Sequence, residues 1–136
     1  MGAEFRRPTS LAEVAKKAEE TPGAFDLFVS EFLDEFYLHP HRRQSMIAEE
    51  PQFLGELRDA WLGAIGEHLA RRWSLQIPSW TDQSHRFLKR AFFAGGFESL
   101  KAILLAESPL AFRKRQIFVE AEPLRRARMP RDSAAE

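Results

Sequence analysis

The stretch that decides the fold is residues 25–37, FDLFVSEFLDEFY. Its apolar residues recur at spacings of three and four, with acidic residues on the other face; they are Phe25, Phe28, Val29, Phe32, Leu33, Phe36 and Tyr37. This period predicts an amphipathic helix with an aromatic face. His39 precedes Pro40 and is therefore pushed out of the helical region, so we expect the helix to end there. We expect the aromatic face to lie in the core, because monomers rarely expose so large an apolar patch; an interface is the alternative.

On the N-terminal side, Ser10-Leu11-Ala12-Glu13 has the spacing of a capping box. We expect the Ser10 side chain to accept a hydrogen bond from the Glu13 amide, and Glu13 to accept one from the Ser10 amide. A short helix is predicted over residues 11–20, ended by Thr21-Pro22-Gly23. Residues 1–9 are predicted to form a disordered leader.

On the C-terminal side, residues 41–50 are predicted to form a short helix, and Pro51 suits the first position of a long one that ends near Trp73. The predicted core-facing residues of the long helix are Leu54, Leu57, Trp61, Leu62, Ile65 and Leu69. Each glycine within a helix costs about 1 kcal/mol relative to alanine. Gly63 and Gly66 therefore indicate the close approach of a neighbouring backbone, whereas Gly55 is open to being only tolerated.

The remaining sequence predicts shorter helices. One begins at Asp82 or Ser84 and carries Phe87, Leu88, Phe92 and Phe93; another carries Phe97, Leu100, Ile103 and Leu104. Ser108-Pro109 predicts an N-cap with a first-turn proline that restarts a helix at Leu110, while residues 116–119 fit a helix or a short strand. The chain is predicted to be an all-α, single-domain helical bundle of five to seven helices. We place this domain at residues 10–124 and a flexible basic tail at 125–136.

Charge is distributed unevenly along the 136 residues, although the net charge is zero. Met1–Ala70 holds 13 acidic and 7 basic residues, and Arg71–Glu136 holds 13 basic and 7 acidic. Such a chain presents two different faces to partners and invites head-to-tail self-association. The alternative is that the two halves neutralise one another within the fold.

No catalytic motif is recognisable, so we expect a protein that is not an enzyme and has no cofactor. The absence of cysteine excludes disulfides, thiolate zinc sites and a cysteine nucleophile. His39-Pro40-His41 with Glu35 raises the alternative of a metal-dependent helical enzyme. The sequence lacks the Glu-x-x-His motif of helical di-metal sites, however, and a pair of loop histidines at a helix C-terminus is the favoured interpretation.

Basic and aromatic residues cluster near the C-terminus and form the predicted partner-binding surface. Its residues are Phe112, Arg113, Lys114, Arg115, Phe118, Arg125 and Arg126. Arginine suits bidentate contacts with carboxylates or phosphates. The partner is therefore expected to be an acidic protein surface or a nucleic-acid backbone, without a membrane, and a homo-oligomer remains open.

Residues 107–119, ESPLAFRKRQIFV, followed by Leu124-Arg125-Arg126-Ala127, resemble the C-terminal signature of small uncharacterised bacterial helical proteins associated with nucleotidyltransferase-type toxins. Residues 73–80 and 98–101 fit the same resemblance, which covers about residues 50–128. It implies a cytoplasmic bacterial protein that acts as an antitoxin-like partner of such an enzyme. The predicted function is a non-catalytic helical interaction protein of this kind; the alternative is a nucleic-acid-binding module that uses the same basic and aromatic residues.

Overall fold

The computed structural model describes residues 6–95, 100–127 and 129. The structure is 61% helical and contains six α-helices in this part of the chain, which confirms the predicted all-α class and helix number. Its contacts group into two compact units. The first comprises the described residues up to Phe53 and from Arg126 onward, and the second comprises those from Leu54 to Arg125. Each unit is described by itself.

The first unit contains three helices: α1 (Leu11–Glu20), α2 (Phe25–Leu38) and α3 (Arg43–Ala48). The 3₁₀ turns Pro22–Ala24 and Pro40–Arg42 separate them. Apolar residues of α1 and α2 are buried, namely Leu11, Val14, Ala15, Ala18, Phe25, Val29, Phe32, Leu33, Phe36 and Tyr37. The aromatic face of α2 is therefore core, as predicted, with Phe28 half-buried.

The start of α1 differs in one detail from the predicted capping box. The Ser10 hydroxyl accepts a hydrogen bond from the Glu13 amide at 3.0 Å, as expected. Glu13 Oε1, however, accepts from the Thr9 amide at 2.8 Å instead of the Ser10 amide, and Glu13 Oε2 lies 2.7 Å from Arg6 Nη2. Pro8 is buried. Residues 6–9 of the predicted disordered leader are thus held by specific contacts, and residues 1–5 lie outside the described residues.

The second unit is organised around α4 (Glu56–Arg72), which α6 (Leu110–Arg113) and the 3₁₀ turns Ser79–Asp82 and Ser84–Arg86 contact. Helix α5 (Lys101–Glu107) contacts strand β2 (Ile117–Phe118). Strand β1 (Phe92–Phe93) pairs with β2 in parallel, with Phe92 opposite Ile117. Helix α4 is buried on more than one side: its buried residues are Asp59, Ala60, Leu62, Gly63, Ala64, Ile65, Gly66, Glu67, Leu69 and Ala70.

The predicted start of the long helix at Pro51 is wrong. Helix α4 begins five residues later, with Gly55 as its N-cap at a φ of 135°, a left-handed conformation that glycine adopts readily. The Leu54 amide donates to Asp59 Oδ1 at 2.7 Å, which ties the preceding segment to the first turn. Gly55 therefore serves the turn, Leu54 lies outside the helix, and Leu57 is exposed.

The helix predicted through Phe87 and Phe93 is also wrong. Its first residues form the 3₁₀ turn Ser84–Arg86, and the later ones form β1. The Phe92 amide donates to the Gln116 carbonyl at 2.8 Å and the Ala94 amide to the Phe118 carbonyl at 3.0 Å. These tertiary hydrogen bonds replace those that a helix would make within itself. They also establish that Ile117 and Phe118 belong to a short strand.

Ser108 does not cap α6. Its hydroxyl lies 2.6 Å from the Leu104 carbonyl and accepts from the Val119 amide at 2.8 Å, so it joins the end of α5 to the residue after β2. The N-cap of α6 is Pro109, which has no side-chain hydrogen bond to offer. Phe97, assigned by the sequence to the preceding helix, lies outside the described residues.

Ser74 follows α4 in the left-handed conformation, with a φ of 61°. The Leu75 amide donates to the Ala70 carbonyl at 2.7 Å, which is the hydrogen bond of a Schellman motif with Ser74 at the position that usually holds glycine. We expect Ser74→Gly to raise the free energy of unfolding by about 0.5–1 kcal/mol, because it removes the steric cost of this conformation.

Urea unfolding at neutral pH measures this effect. Ser30→Gly, inside α2, is the matched control and should lower the free energy of unfolding by about 0.5 kcal/mol. A destabilised Ser74→Gly variant would contradict the prediction.

Candidate functional site

A buried carboxylate on α4 gathers three basic side chains. Glu67 Oε1 accepts from Arg115 Nη1 at 2.7 Å, and Glu67 Oε2 accepts from Arg71 Nε at 2.7 Å and from Lys114 Nζ at 3.2 Å. Glu67 is 2% exposed and Arg115 0%. Arg115 also donates to the carbonyls of Ala111 and Thr81. Because both partners of the Glu67–Arg115 pair are buried and multiply bonded, the pair is structural and unavailable to a ligand.

A second buried arginine lies along the same face of α4. Arg86 is fully buried; its Nη1 donates to the Asp59 carbonyl at 3.4 Å and lies 3.9 Å from Asp59 Oδ1. The Arg86 guanidinium stands 4.9 Å from the centre of the Trp80 ring, and that of Arg115 stands 4.5 Å from the Phe87 ring. Aromatic faces attract cations, so these contacts compensate part of the loss of water around both arginines.

The helix glycines make room for these side chains. A Cβ at Gly63 would lie 2.9 Å from Arg86 Cβ and 3.0 Å from Arg115 Nε, and one at Gly66 would lie 3.0 Å from the Trp80 ring. The predicted close approach at Gly63 and Gly66 is therefore real, but side chains approach them, not the neighbouring backbone that the sequence suggested.

Burial of Glu67 by itself raises the pKa of its carboxyl, but hydrogen bonds from Arg115, Arg71 and Lys114 outweigh burial and hold that pKa below its ordinary value. A carboxyl with a lowered pKa in the folded state stabilises the fold above its unfolded pKa, and this contribution is lost as the pH falls through the folded value. We expect the free energy of unfolding to fall below about pH 4.5, near the unfolded pKa of glutamate.

Urea unfolding of the wild type and of Glu67→Gln at a series of pH values measures this contribution. The difference between the two proteins should be largest near pH 7 and should shrink as the pH falls below about 4.5. A difference that stays constant down to about pH 2 would show that Glu67 does not supply the acid sensitivity.

Of the seven predicted partner-binding residues, three lie in the interior. Phe112 and Arg115 are 0% exposed, and Phe118 is 9% exposed with its ring stacked on that of Phe93 at a centroid distance of 4.9 Å. These three cannot form a contact surface in the folded chain, so that part of the prediction is corrected. The sequence alone indicated a surface, because these arginine and phenylalanine residues lie in a basic C-terminal stretch. In the structure, the ion pair with Glu67, 48 positions earlier, holds Arg115 in the interior.

The other four predicted residues remain accessible to different degrees. Lys114 is exposed at the edge of the Glu67 cluster. Arg126 makes a bidentate contact with Asp34, Nε to Oδ1 at 3.0 Å and Nη2 to Oδ2 at 3.1 Å. This contact raises the pKa of the Arg126 guanidinium. It also holds in place one residue of the predicted flexible tail. Arg113 and Arg125 are exposed and pair with no carboxylate in the described part of the chain. Tail residues 128 and 130–136 lie outside it.

Four ion pairs bear on whether the acidic first half and the basic second half of the chain neutralise one another. Arg86 meets Asp59, Lys114 and Arg115 meet Glu67, and Arg126 meets Asp34. In each case a basic residue of the second half pairs with an acidic residue of the first half. The alternative that the halves neutralise one another is confirmed for these pairs, and fewer cations remain for a partner.

The sequence did not single out the group of exposed apolar residues on α5 and α6. Helix α5 has the sequence KAILLAE, and Leu104 is its one buried residue. We define the α5–α6 surface by its exposed large apolar residues and the adjoining cation: Leu100 (39% exposed), Ile103 (50%), Leu105 (47%), Leu110 (51%) and the exposed Arg113. The available signal was the uninterrupted apolar run of residues 102–106 within α5, because a helix segment that is apolar all round is normally buried.

Two further groups of polar side chains occur among the described residues. A cavity of about 360 Å³ is lined by Glu56, Asp59, Ser84, His85, Phe87, Leu88 and Lys89. His39 Nε2 lies 3.2 Å from Glu35 Oε1, and no group of three or more histidine, aspartate or glutamate side chains among the described residues is arranged to hold a metal ion. His68, beside the Phe112 ring, has its pKa lowered by burial.

No protein-family model, curated protein or solved structure matches the chain. Within the described residues, no helix combines the length and the apolar composition needed to cross a bilayer.

Proposed function

We propose that this chain is a non-catalytic helical interaction protein that binds a protein partner through the α5–α6 surface. The observation that carries the proposal is α5, an apolar helix that buries one residue and exposes Ile103 and Leu105. Four of the nine large apolar side chains that are exposed among the described residues lie within residues 100–110. Grouped exposed apolar side chains are characteristic of protein interfaces. Arg113 lies one turn after Leu110 on α6 and is exposed. Its guanidinium can bind a carboxylate of the partner beside the apolar contact.

The partner we propose is a nucleotidyltransferase of the toxin type, which this chain would bind as a cytoplasmic antitoxin. The support is the sequence resemblance, which includes residues 107–119 and therefore all of α6 and all of β2. Leu100, Leu110 and Arg113 of the α5–α6 surface lie within residues 98–101 and 107–119, which carry the resemblance, and Ile103 and Leu105 lie between these two stretches. The resemblance and the exposed apolar side chains thus point to the same segment.

The experiment is co-expression with a nucleotidyltransferase encoded beside this gene, followed by size-exclusion chromatography and an assay of nucleotide transfer. We expect a stable complex and lower transferase activity, and we expect Ile103→Glu to weaken binding at least about 30-fold, equivalent to about 2 kcal/mol. Ile77→Glu, at an exposed isoleucine outside α5 and α6, is the matched control. The proposal would be refuted if the transferase did not bind the chain and its nucleotide-transfer activity were the same with and without the chain.

Nucleic acid is the second candidate. It is favoured by four exposed cations of the second unit that have no carboxylate partner among the described residues: Lys89, Arg90, Arg113 and Arg125. If all four contacted phosphates, the plot of log affinity against log salt would have a slope of about −3.6 for duplex DNA and about −2.8 for a single strand. Fluorescence anisotropy with labelled duplex DNA and single-stranded RNA measures this slope. Binding that does not change with salt would exclude phosphate contacts.

A further inference from the structure

The first unit carries its own exposed apolar side chains, on the outer face of α2. Leu27, Glu31, Asp34 and Leu38 are spaced by four, three and four residues, so they share one side of the helix. Leu27 and Leu38 are 55% and 45% exposed. Asp34 holds Arg126, whereas Glu31 is half-exposed and pairs with no cation in the part of the chain that the structure describes. We call Leu27, Glu31 and Leu38 the α2 outer face.

The two units have opposite charges. Residues 1–53 and 126–136 contain 12 acidic and 9 basic residues, a net charge of −3, whereas residues 54–125 contain 8 acidic and 11 basic residues, a net charge of +3. The whole chain has no net charge and a pI of about 6.9. Two copies therefore do not repel one another through their net charge, and unlike units of different copies attract.

We propose that the α5–α6 surface of one copy binds the α2 outer face of a second copy. The second copy is the occupant favoured by charge complementarity. Each surface has apolar side chains beside one charge with no ion-pair partner among the described residues, the exposed Arg113 on one and the half-exposed Glu31 on the other. In the contact, Leu27 and Leu38 cover Ile103 and Leu110, and Arg113 pairs with Glu31.

The proposal goes beyond the proposed function, because it concerns assembly of this chain with itself. A second copy occupies the surface that we assign to the enzyme, so self-association and enzyme binding compete. The contact joins two different surfaces and is therefore heterologous. It gives a dimer if two such contacts form reciprocally, and a longer series of copies if they do not.

Sedimentation velocity of the full chain, from about 5 to 300 µM at low salt, is the first test. We expect the mean sedimentation coefficient to rise with concentration in the wild type, and Ile103→Glu and Leu27→Glu each to raise the dissociation constant at least about tenfold. Ile77→Glu is the control and should associate like the wild type. All these side chains are exposed, and circular dichroism checks that each variant is folded.

The second test reverses charges. Arg113→Glu and Glu31→Arg should each raise the dissociation constant about tenfold, and the chain that carries both changes should return to within about threefold of the wild type, because the pair is restored with its signs exchanged. Glu19→Arg and Arg90→Glu, at exposed positions outside both surfaces, make the same charge changes as controls.

The third test mixes two single variants. Ile103→Glu retains the α2 outer face and Leu27→Glu retains the α5–α6 surface, so the mixture should form a one-to-one complex that neither variant forms with itself. A wild type that stays monomeric over the whole range, or a double charge reversal no better than the single ones, would overturn the proposal. These measurements use the chain alone, so their failure leaves the proposed enzyme complex untouched.

Discussion

We expect Glu67→Gln to lower the free energy of unfolding by about 3–5 kcal/mol, the cost of leaving one member of a buried ion pair without its partner. Arg115 is 0% exposed and would remain charged, because arginine does not lose its proton in proteins. Glutamine offers one acceptor oxygen, but both Glu67 oxygens face donors: Arg115 on one side, Arg71 and Lys114 on the other. One side would therefore place an amide N–H₂ against a cationic donor.

Urea unfolding at pH 7 measures the effect. Glu56→Gln makes the same change at an exposed position in the first turn of α4 and should alter stability by less than about 0.5 kcal/mol. A double variant, Glu67→Leu with Arg115→Met, removes both buried charges and should be more stable than Glu67→Gln. The single variants Glu67→Leu and Arg115→Met complete the cycle. A loss in the double variant equal to the sum of these two single losses would show that Glu67 and Arg115 do not act as a pair.

The sequence predicted the helices whose apolar periodicity is local. The α2 pattern is complete within residues 25–37, so its length, its buried face and its end before Pro40 follow from spacing alone. The extent of α4 toward Arg72 was predicted for the same reason. By contrast, Phe87 to Phe93 have apolar spacing compatible with a helix, but hydrogen bonds to residues 116–118 hold Phe92–Phe93 as a strand. Such a partner, more than twenty positions away, leaves no mark on local periodicity.

The candidate site was predicted less well, because burial of charged residues depends on tertiary pairing. Asp59, Gly63 and Glu67 are spaced by four residues, a pattern that places two carboxylates and a gap on one side of α4. Glycine between two acidic residues at this spacing was the available sign in the sequence that arginine side chains pack against α4. Arg113 shows the opposite outcome: it adjoins Lys114 and Arg115 in sequence, but it alone of the three has no carboxylate partner among the described residues.

Gly63→Ala tests the other half of this arrangement. The new Cβ would lie 2.9 Å from Arg86 Cβ, an atom next to the backbone that cannot swing away, and 3.0 Å from Arg115 Nε, which the hydrogen bonds to Glu67, Ala111 and Thr81 hold in place. Overpacking of this kind typically costs about 1–3 kcal/mol, against a gain of about 1 kcal/mol in helix propensity. We expect a net loss of up to about 2 kcal/mol in the free energy of unfolding.

Gly23→Ala is the matched control, because nothing lies within 4 Å of a Cβ built there. Its stability should stay within about 0.5 kcal/mol of the wild type. The Gly63→Ala loss should also shrink when Arg115→Met is added, since the shorter, unbranched side chain has no guanidinium to keep against Gly63. If Gly63→Ala instead stabilised the chain as a helix-interior alanine does on an open surface, Arg86 and Arg115 would not pack against α4 as the structure places them, and the assignment of Arg115 to the interior would fall with it.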